Sequence, residues 1–197
     1  MTTRAELRLA LRLRLEDDAA APLWPDDVLN DALAEAMNAY GAACPRQVTT
    51  GVTVTAGAQQ AALSGEIDPT RITRVVDAAG IWVTPWVAEQ DRPGERGQAW
   101  RVWAGQLRLA EPAAASIAGV WQIEHRAGRA APANDVDPLD IVPGDESLVA
   151  LLAEGAALAR RAIEDAKRGL RSDAGARADA ARRQAWQLRG SRLRLRG

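Results

Sequence analysis

The sequence predicts an α+β protein: a helical bundle made of two N-terminal helices and long C-terminal helices, with an antiparallel β domain inserted between them. Three observations predict it. Leucines and alanines recur at helical spacing at both ends of the chain. In the middle the period drops to two, and Val, Thr and Trp, which strands favour, become abundant. Prolines and Ala-Gly pairs punctuate that middle at short intervals. The expected divisions are 1–46 for the N-terminal helices and 47–126 for the β domain, then 127–146 for an acidic Pro-rich loop. Residues 147–189 follow as the C-terminal helices and 190–197 as a tail suited to docking.

Each element has its own signal. Thr3-Arg4-Ala5-Glu6 has the form of a capping box, in which the Thr hydroxyl accepts from an orphan amide and Glu6 reaches back. Leu7, Leu11 and Leu15 then share one helical face. The same stretch alternates without a break, so a strand competes, but the Arg and Ala between the leucines are good helix formers. Asp17 to Trp24 is a connector. Pro25 suits a first helical turn, and Asp26 and Asp27 suit the positive end of a helix. Leu29, Leu33, Ala36, Met37 and Tyr40 form its apolar stripe, closed by Gly41 and Pro45.

Val48, Thr50, Val52 and Val54 open the alternating region. Further strands are expected at Arg71–Asp77, Ile81–Trp86, Ala99–Trp103, Gln106–Ala110 and Ile117–His125, an antiparallel meander of about five to six strands. Ala79-Gly80, Ala104-Gly105 and Glu111–Ala115 separate them. Five of the seven tryptophans fall here (Trp82, Trp86, Trp100, Trp103 and Trp121), and in a chain with no Phe they are expected to fill the β core rather than stack on bases. Ala127–Asp145 is loop. Glu146–Gly169 is a helix that buries Leu148, Leu151, Leu152, Ala156, Leu158, Ala159 and Ile163. Ser172–Leu188 is a weakly amphipathic helix carrying Trp186, and the last segment, Gly190–Gly197, alternates Leu with Arg.

Composition excludes several classes of function. The 197 residues carry a net charge of −1, against a wholly basic nucleic-acid binder. The split is uneven, however: residues 150–197 hold twelve basic and five acidic side chains, a surplus of +7 that leaves −8 for residues 1–149. One cysteine, Cys44, rules out an internal disulfide and any multi-thiolate metal site. The longest uncharged run, the 19 residues Gln47–Gly65, is polar and Thr-rich, so no membrane span is expected. Arg4, Glu6, Arg8, Arg12 and Arg14 interrupt every apolar stretch that a secretory signal would need, and a soluble cytoplasmic protein is expected.

Catalytic and metal signatures are weak. His125 is a lone strand-end histidine, expected at the rim. Asp135 and Asp137 begin like a calcium loop, and Glu146 falls at its twelfth position. But Leu139 and Asp140 occupy the fifth and sixth, where an oxygen ligand and a glycine belong. Asp135, Asp137, Asp140, Asp145 and Glu146 are therefore expected to be a solvated or protein-contact surface. No Gly-rich phosphate loop follows a strand, Gly-x-Ser-x-Gly is absent, and Cys44 before Pro45 has no activating base in the sequence. No catalytic residue, metal or cofactor is expected. The C-terminal Arg run has three readings: a solvated tail, non-specific phosphate binding, or docking of Leu193 and Leu195 into a partner groove or sheet edge. The alternation of apolar and basic residues favours docking.

The order of parts carries a resemblance. A short helix ends at Leu15-Glu16-Asp17, and Leu23-Trp24-Pro25-Asp26-Asp27-Val28-Leu29 opens a second that runs through Ala34-Glu35-Ala36. The β region holds Ile72-Thr73-Arg74-Val75-Val76-Asp77, Gly105-Gln106-Leu107-Arg108-Leu109-Ala110-Glu111-Pro112 and Gly119-Val120-Trp121-Gln122-Ile123-Glu124-His125. Pro138-Leu139-Asp140-Ile141-Val142-Pro143-Gly144-Asp145 then feeds Ser147-Leu148-Val149-Ala150-Leu151-Leu152-Ala153-Glu154. Across roughly residues 3–170 this layout resembles the head-to-tail adaptor (connector or neck) proteins of tailed bacteriophages.

The resemblance implies a structural virion protein and not an enzyme. It implies a homo-oligomeric, typically dodecameric ring at the neck beneath the portal protein, with a tail or stopper protein below. It implies assembly in the host cytoplasm, no membrane, and genomic DNA passing through the channel without specific binding. The C-terminal segment of such proteins often grips the portal, which assigns portal docking to Trp186, Arg189, Arg192, Leu193, Arg194, Leu195 and Arg196. The −8 remainder would then line a lumen past which DNA slides. The competing expectations are a DNA-binding assembly factor using Arg160–Arg196 and another tail-completion component.

Overall fold

A computed structural model describes residues 2–17, 22–86 and 98–195 of the chain, and for 191–195 the backbone alone. It is a mixed α+β structure with four helices and a curled seven-stranded sheet, divided into two compact units. One unit comprises residues 1–45 and 128–197; the other is the continuous stretch 46–127.

The first unit is helical: α1 (Arg4–Arg14), α2 (Asp26–Ala43), α3 (Glu146–Lys167) and α4 (Ala174–Leu195). The capping box forms as the sequence predicts, with Glu6 N donating to Thr3 Oγ1 at 3.3 Å and Thr3 N to Glu6 Oε2 at 2.9 Å. A helix also resolves the unbroken alternation of α1. Leu7, Leu11 and Leu15 turn inward, while Leu9 and Leu13 are left 60% and 74% exposed. They join Leu29, Leu33, Met37 and Tyr40 of α2 and Leu148, Leu151 and Leu158 of α3 in one core. α3 packs on the other three helices.

Three expectations in this unit are corrected. Gly41 does not end α2, which runs on to Ala43. It is buried, and a Cβ there would lie 3.2 Å from the backbone N of Arg129, so the glycine serves a close approach. Ile163 is 57% exposed although it shares the helical face of Leu152 and Ala156, because the apolar burial of α3 ends at Leu158. Gly190 does not begin an extended tail either: α4 continues through it to Leu195, since Leu and Arg at alternate positions are as compatible with helix as with strand.

The second unit holds β1 (Arg46–Val54), β2 (Gln60–Ala62), β3 (Ile72–Val76), β4 (Trp82–Pro85), β5 (Ala99–Trp103), β6 (Gln106–Leu109) and β7 (Gly119–Ala127). The order across the sheet is β1-β7-β3-β4-β5-β6-β2, and β1 and β2, at its two ends, also touch, which gives the curl. All six predicted strands are present. β2 escapes the sequence because only Ala61 of its three residues faces the core. The antiparallel expectation fails at one ladder: β4 and β5 run parallel, with Thr84 beside Ala99 and Pro85 beside Trp100. The β5–β6 hairpin turns on Ala104 and Gly105, both at positive φ (50° and 72°), as a two-residue loop between paired strands requires. The core is Val52, Val54, Val75, Val83, Trp100, Leu107, Leu109, Trp121 and Ile123.

Candidate functional site

The alanines of α4 explain how its arginine-rich sequence docks at all. Ala174, Ala178, Ala181 and Ala185 fall on one face, are buried, and let α4 close on α3. At Gly155 of α3 an added Cβ would meet Arg182 Cγ at 3.0 Å and the Ala178 carbonyl at 3.3 Å. Arg177, Arg183 and Trp186 of α4 are exposed, and Arg182, whose stem packs on α3 at Gly155, is exposed as well.

Six of the seven residues that the sequence predicts for docking lie at the end of this helix. Trp186 is 45% exposed, with the Arg189 guanidinium 5.4 Å from its ring centre. Arg189 is half-buried and turned inward, its Nη2 donating to the Ala43 carbonyl at 2.7 Å. Ala43 ends α2, whose last turn carries no basic residue of its own. Arg189 and Arg129, whose Nε donates to the Cys44 carbonyl at 2.6 Å, supply the positive charge that the C-terminus of a helix favours. Arg192, Leu193, Arg194 and Leu195 follow in the last turns of α4, and Arg196 lies outside the described residues.

The acidic loop is less free than its composition suggests. Asp135 accepts from Arg8 Nη2 and from Arg4 Nε, each at 2.8 Å. Those hydrogen bonds, Arg8 first, hold its carboxyl down at about 2 and raise the Arg8 guanidinium above its ordinary value. Asp137 folds back on the Asn134 amide at 2.8 Å, and Asp140 takes Arg129 Nη1 at 2.9 Å. Asp145, buried at the start of α3, accepts from the Tyr40 hydroxyl at 2.8 Å, and Val142 N donates to that hydroxyl at 3.0 Å. Burial, reinforced by Asp145, pushes the Tyr40 phenol up to about 12. Among the described residues no three His, Cys, Asp or Glu side chains are grouped to hold a metal. The expected solvated surface is in large part an internal clasp tying the loop to α1 and α2.

Two other expectations need correction. His125 is not at a rim. It is 3% exposed within β7, opposite Val48, with Nε2 3.0 Å from Thr50 Oγ1. The tryptophans divide: Trp121 and Trp100 fill the β core and donate to the Ile117 and Val83 carbonyls at 2.8 and 2.9 Å, whereas Trp82 and Trp103 are 58% and 61% exposed. Cys44 is a half-buried free thiol.

The sequence also left one cluster unread. Arg101 on β5 and Arg108 on β6 are directly opposite across the hairpin, and Arg101 lies over the Trp86 ring at 4.1 Å. Their polar positions were visible in the alternation; their cross-strand register was not.

Among the described residues no helix is long and apolar enough to cross a membrane. No curated protein matches the chain. The model of the SU10 adaptor protein family matches residues 2–196, nearly its whole length, and the chain belongs to that family of phage structural proteins.

Proposed function

We propose that this protein is a head-to-tail adaptor that assembles as a ring beneath the portal and joins capsid to tail around the DNA channel. The observation that carries the reading is the family match over residues 2–196. The end of α4 supplies the docking element: Trp186 is exposed, and the basic, leucine-containing sequence 192–196 follows it. Arg189 holds that end against α2 rather than reaching outward. The role is structural, and the partners are portal, tail or stopper protein, and further copies of the chain. The acidic surplus of residues 1–149 suits a channel wall along which DNA moves without sticking.

Co-sedimentation with the portal protein of the same genome tests this, using the full chain and one ending at Gly190. Binding that survives high salt and is lost in the truncated chain is expected, because an interface built on Leu193, Leu195 and Trp186 is mainly apolar. Absence of binding by either form would move the protein to the tail side of the neck. The rival, a DNA-binding assembly factor using Arg160–Arg196, draws support from the exposed Arg177, Arg182 and Arg183. Arg160 is already paired with Asp31 and Glu35, and Arg161 with Asp165. Steeply salt-sensitive binding to DNA alone would favour the rival.

A further inference from the structure

We infer that the β unit carries a phosphate-binding pocket, formed by Arg101 and Arg108 beside Trp86. The pocket encloses about 250 Å³ and is lined by Gln59, Gln60, Trp86, Arg101, Arg108 and the β6 end at Leu109-Ala110. Arg101 and Arg108 are an adjacent cross-strand pair of like charge, an arrangement that destabilises a sheet unless something neutralises it. Neither has an acidic partner among the described residues, and the Nε of each is buried without a hydrogen-bond acceptor. Arg4, Arg8 and Arg129 each have a carboxylate within hydrogen-bond reach, and Arg189, whose Nε is likewise without an acceptor, still donates through Nη2 to the Ala43 carbonyl.

The chemistry selects the ligand. Two guanidinium groups require about two negative charges, which one free phosphate or two successive phosphodiesters of a DNA strand supply, whereas a single carboxylate leaves one cation uncompensated. The two arginines come from two strands, and Gln59 and Gln60, whose side-chain amides are able to donate, also line the pocket, a spread that suits a tetrahedral group better than a planar one. The Trp86 face is covered by Arg101, so a stacked base is not accommodated there and recognition is of the phosphate alone. The phosphate can be free in solution or part of a DNA backbone.

Calorimetry on the full chain at constant ionic strength tests the site, titrating inorganic phosphate against a chloride background, then a ten-nucleotide single strand, then an acidic peptide. Phosphate is expected to bind at one site per chain, weakened at least tenfold in Arg101→Gln and in Arg108→Gln but unchanged in Arg74→Gln, a strand arginine paired with Glu124. If the oligonucleotide also binds with that dependence and more tightly, DNA is the source; if only free phosphate binds, the site takes the small anion. Phosphate binding that is absent, or is retained in both variants, overturns the proposal. So does Arg101- and Arg108-dependent binding of the acidic peptide alone. Because Arg108→Gln removes a repulsion and no side-chain hydrogen bond or ion pair among the described residues, it keeps the test open if Arg101→Gln, which loses its Trp86 packing, misfolds.

Discussion

The two units of this protein treat charge in opposite ways. In the helical unit the carboxylates of the loop and of α3 have partners: Asp135 is held by Arg4 and Arg8, Asp140 by Arg129, Asp145 by Tyr40, Glu154 by Arg14 at 2.7 Å and Asp165 by Arg161, although the buried Arg189 Nε there is without an acceptor. In the β unit Arg101 and Arg108 face each other with no counter-charge among the described residues, over a neighbour, Trp86, that is aromatic rather than acidic. The difference teaches where the protein uses charge to hold itself together and where it keeps charge for something else. A buried ion pair fixes geometry and punishes the loss of either partner. A like-charged pair costs the fold a little and gains only when an anion arrives.

The comparison breaks most visibly at Arg129. Its side chain is 8% exposed, and it touches the Cys44 carbonyl, the Asp140 carbonyl and carboxylate and the Tyr40 ring. Arg129→Ala therefore strips a charge from Asp140, a cap from the end of α2 and packing from the loop at once. The expected loss is about 2 kcal/mol, the size of charge-assisted hydrogen bonds lost from a part-buried site, since Asp140 itself stays a third exposed. Urea denaturation followed by circular dichroism at 222 nm measures it. A change within the error of the wild type would mean that the clasp is ornamental.

Tyr40 sharpens the same point through pH. Tyr40→Phe takes a donor from the buried Asp145 and an acceptor from Val142 N, and is expected to cost about 1–2 kcal/mol. The folded phenol is held up to about 12 against an ordinary value near 10, so the fold favours the neutral form. Its contribution is present in full below pH 10 and is lost as pH rises through about 12. Thermal midpoints of the wild type are expected to fall between pH 10 and 12 more steeply than those of Tyr40→Phe. Parallel curves would detach the phenol from stability.

How much of this was legible in the sequence depends on what sets each feature. Leu7, Leu11 and Leu15, like Leu29, Leu33 and Met37, declare a buried face because helical spacing and burial are local facts. The tryptophans were over-assigned to the core although the same alternation held the correction. Trp82 adjoins Val83, and Trp103 lies three residues from Trp100, so within each strand one of the pair must face out. The parallel β4–β5 ladder and the Tyr40–Asp145 bond have no local signature. The second joins residues 105 positions apart, and nothing within a window of either announces the other. Arg101 and Arg108 fall between these cases: alternation placed them off the core, and only the hairpin register made them neighbours.

The smallest expected effect is the one that separates the two units most cleanly. In chloride buffer Arg108→Gln removes a positive charge that meets another positive charge across the β5–β6 ladder, and leaves the amide able to hydrogen-bond. Cross-strand terms of this kind are worth roughly 0.2–1 kcal/mol, so stability is expected to stay level or to rise by less than about 1 kcal/mol. Set against the loss expected for Arg129→Ala, a part-buried arginine would then be dispensable in one unit and indispensable in the other. A loss in chloride as large as that of Arg129→Ala would show instead that Arg108 is a structural residue whose partner lies within the fold, and the contrast between the units would disappear.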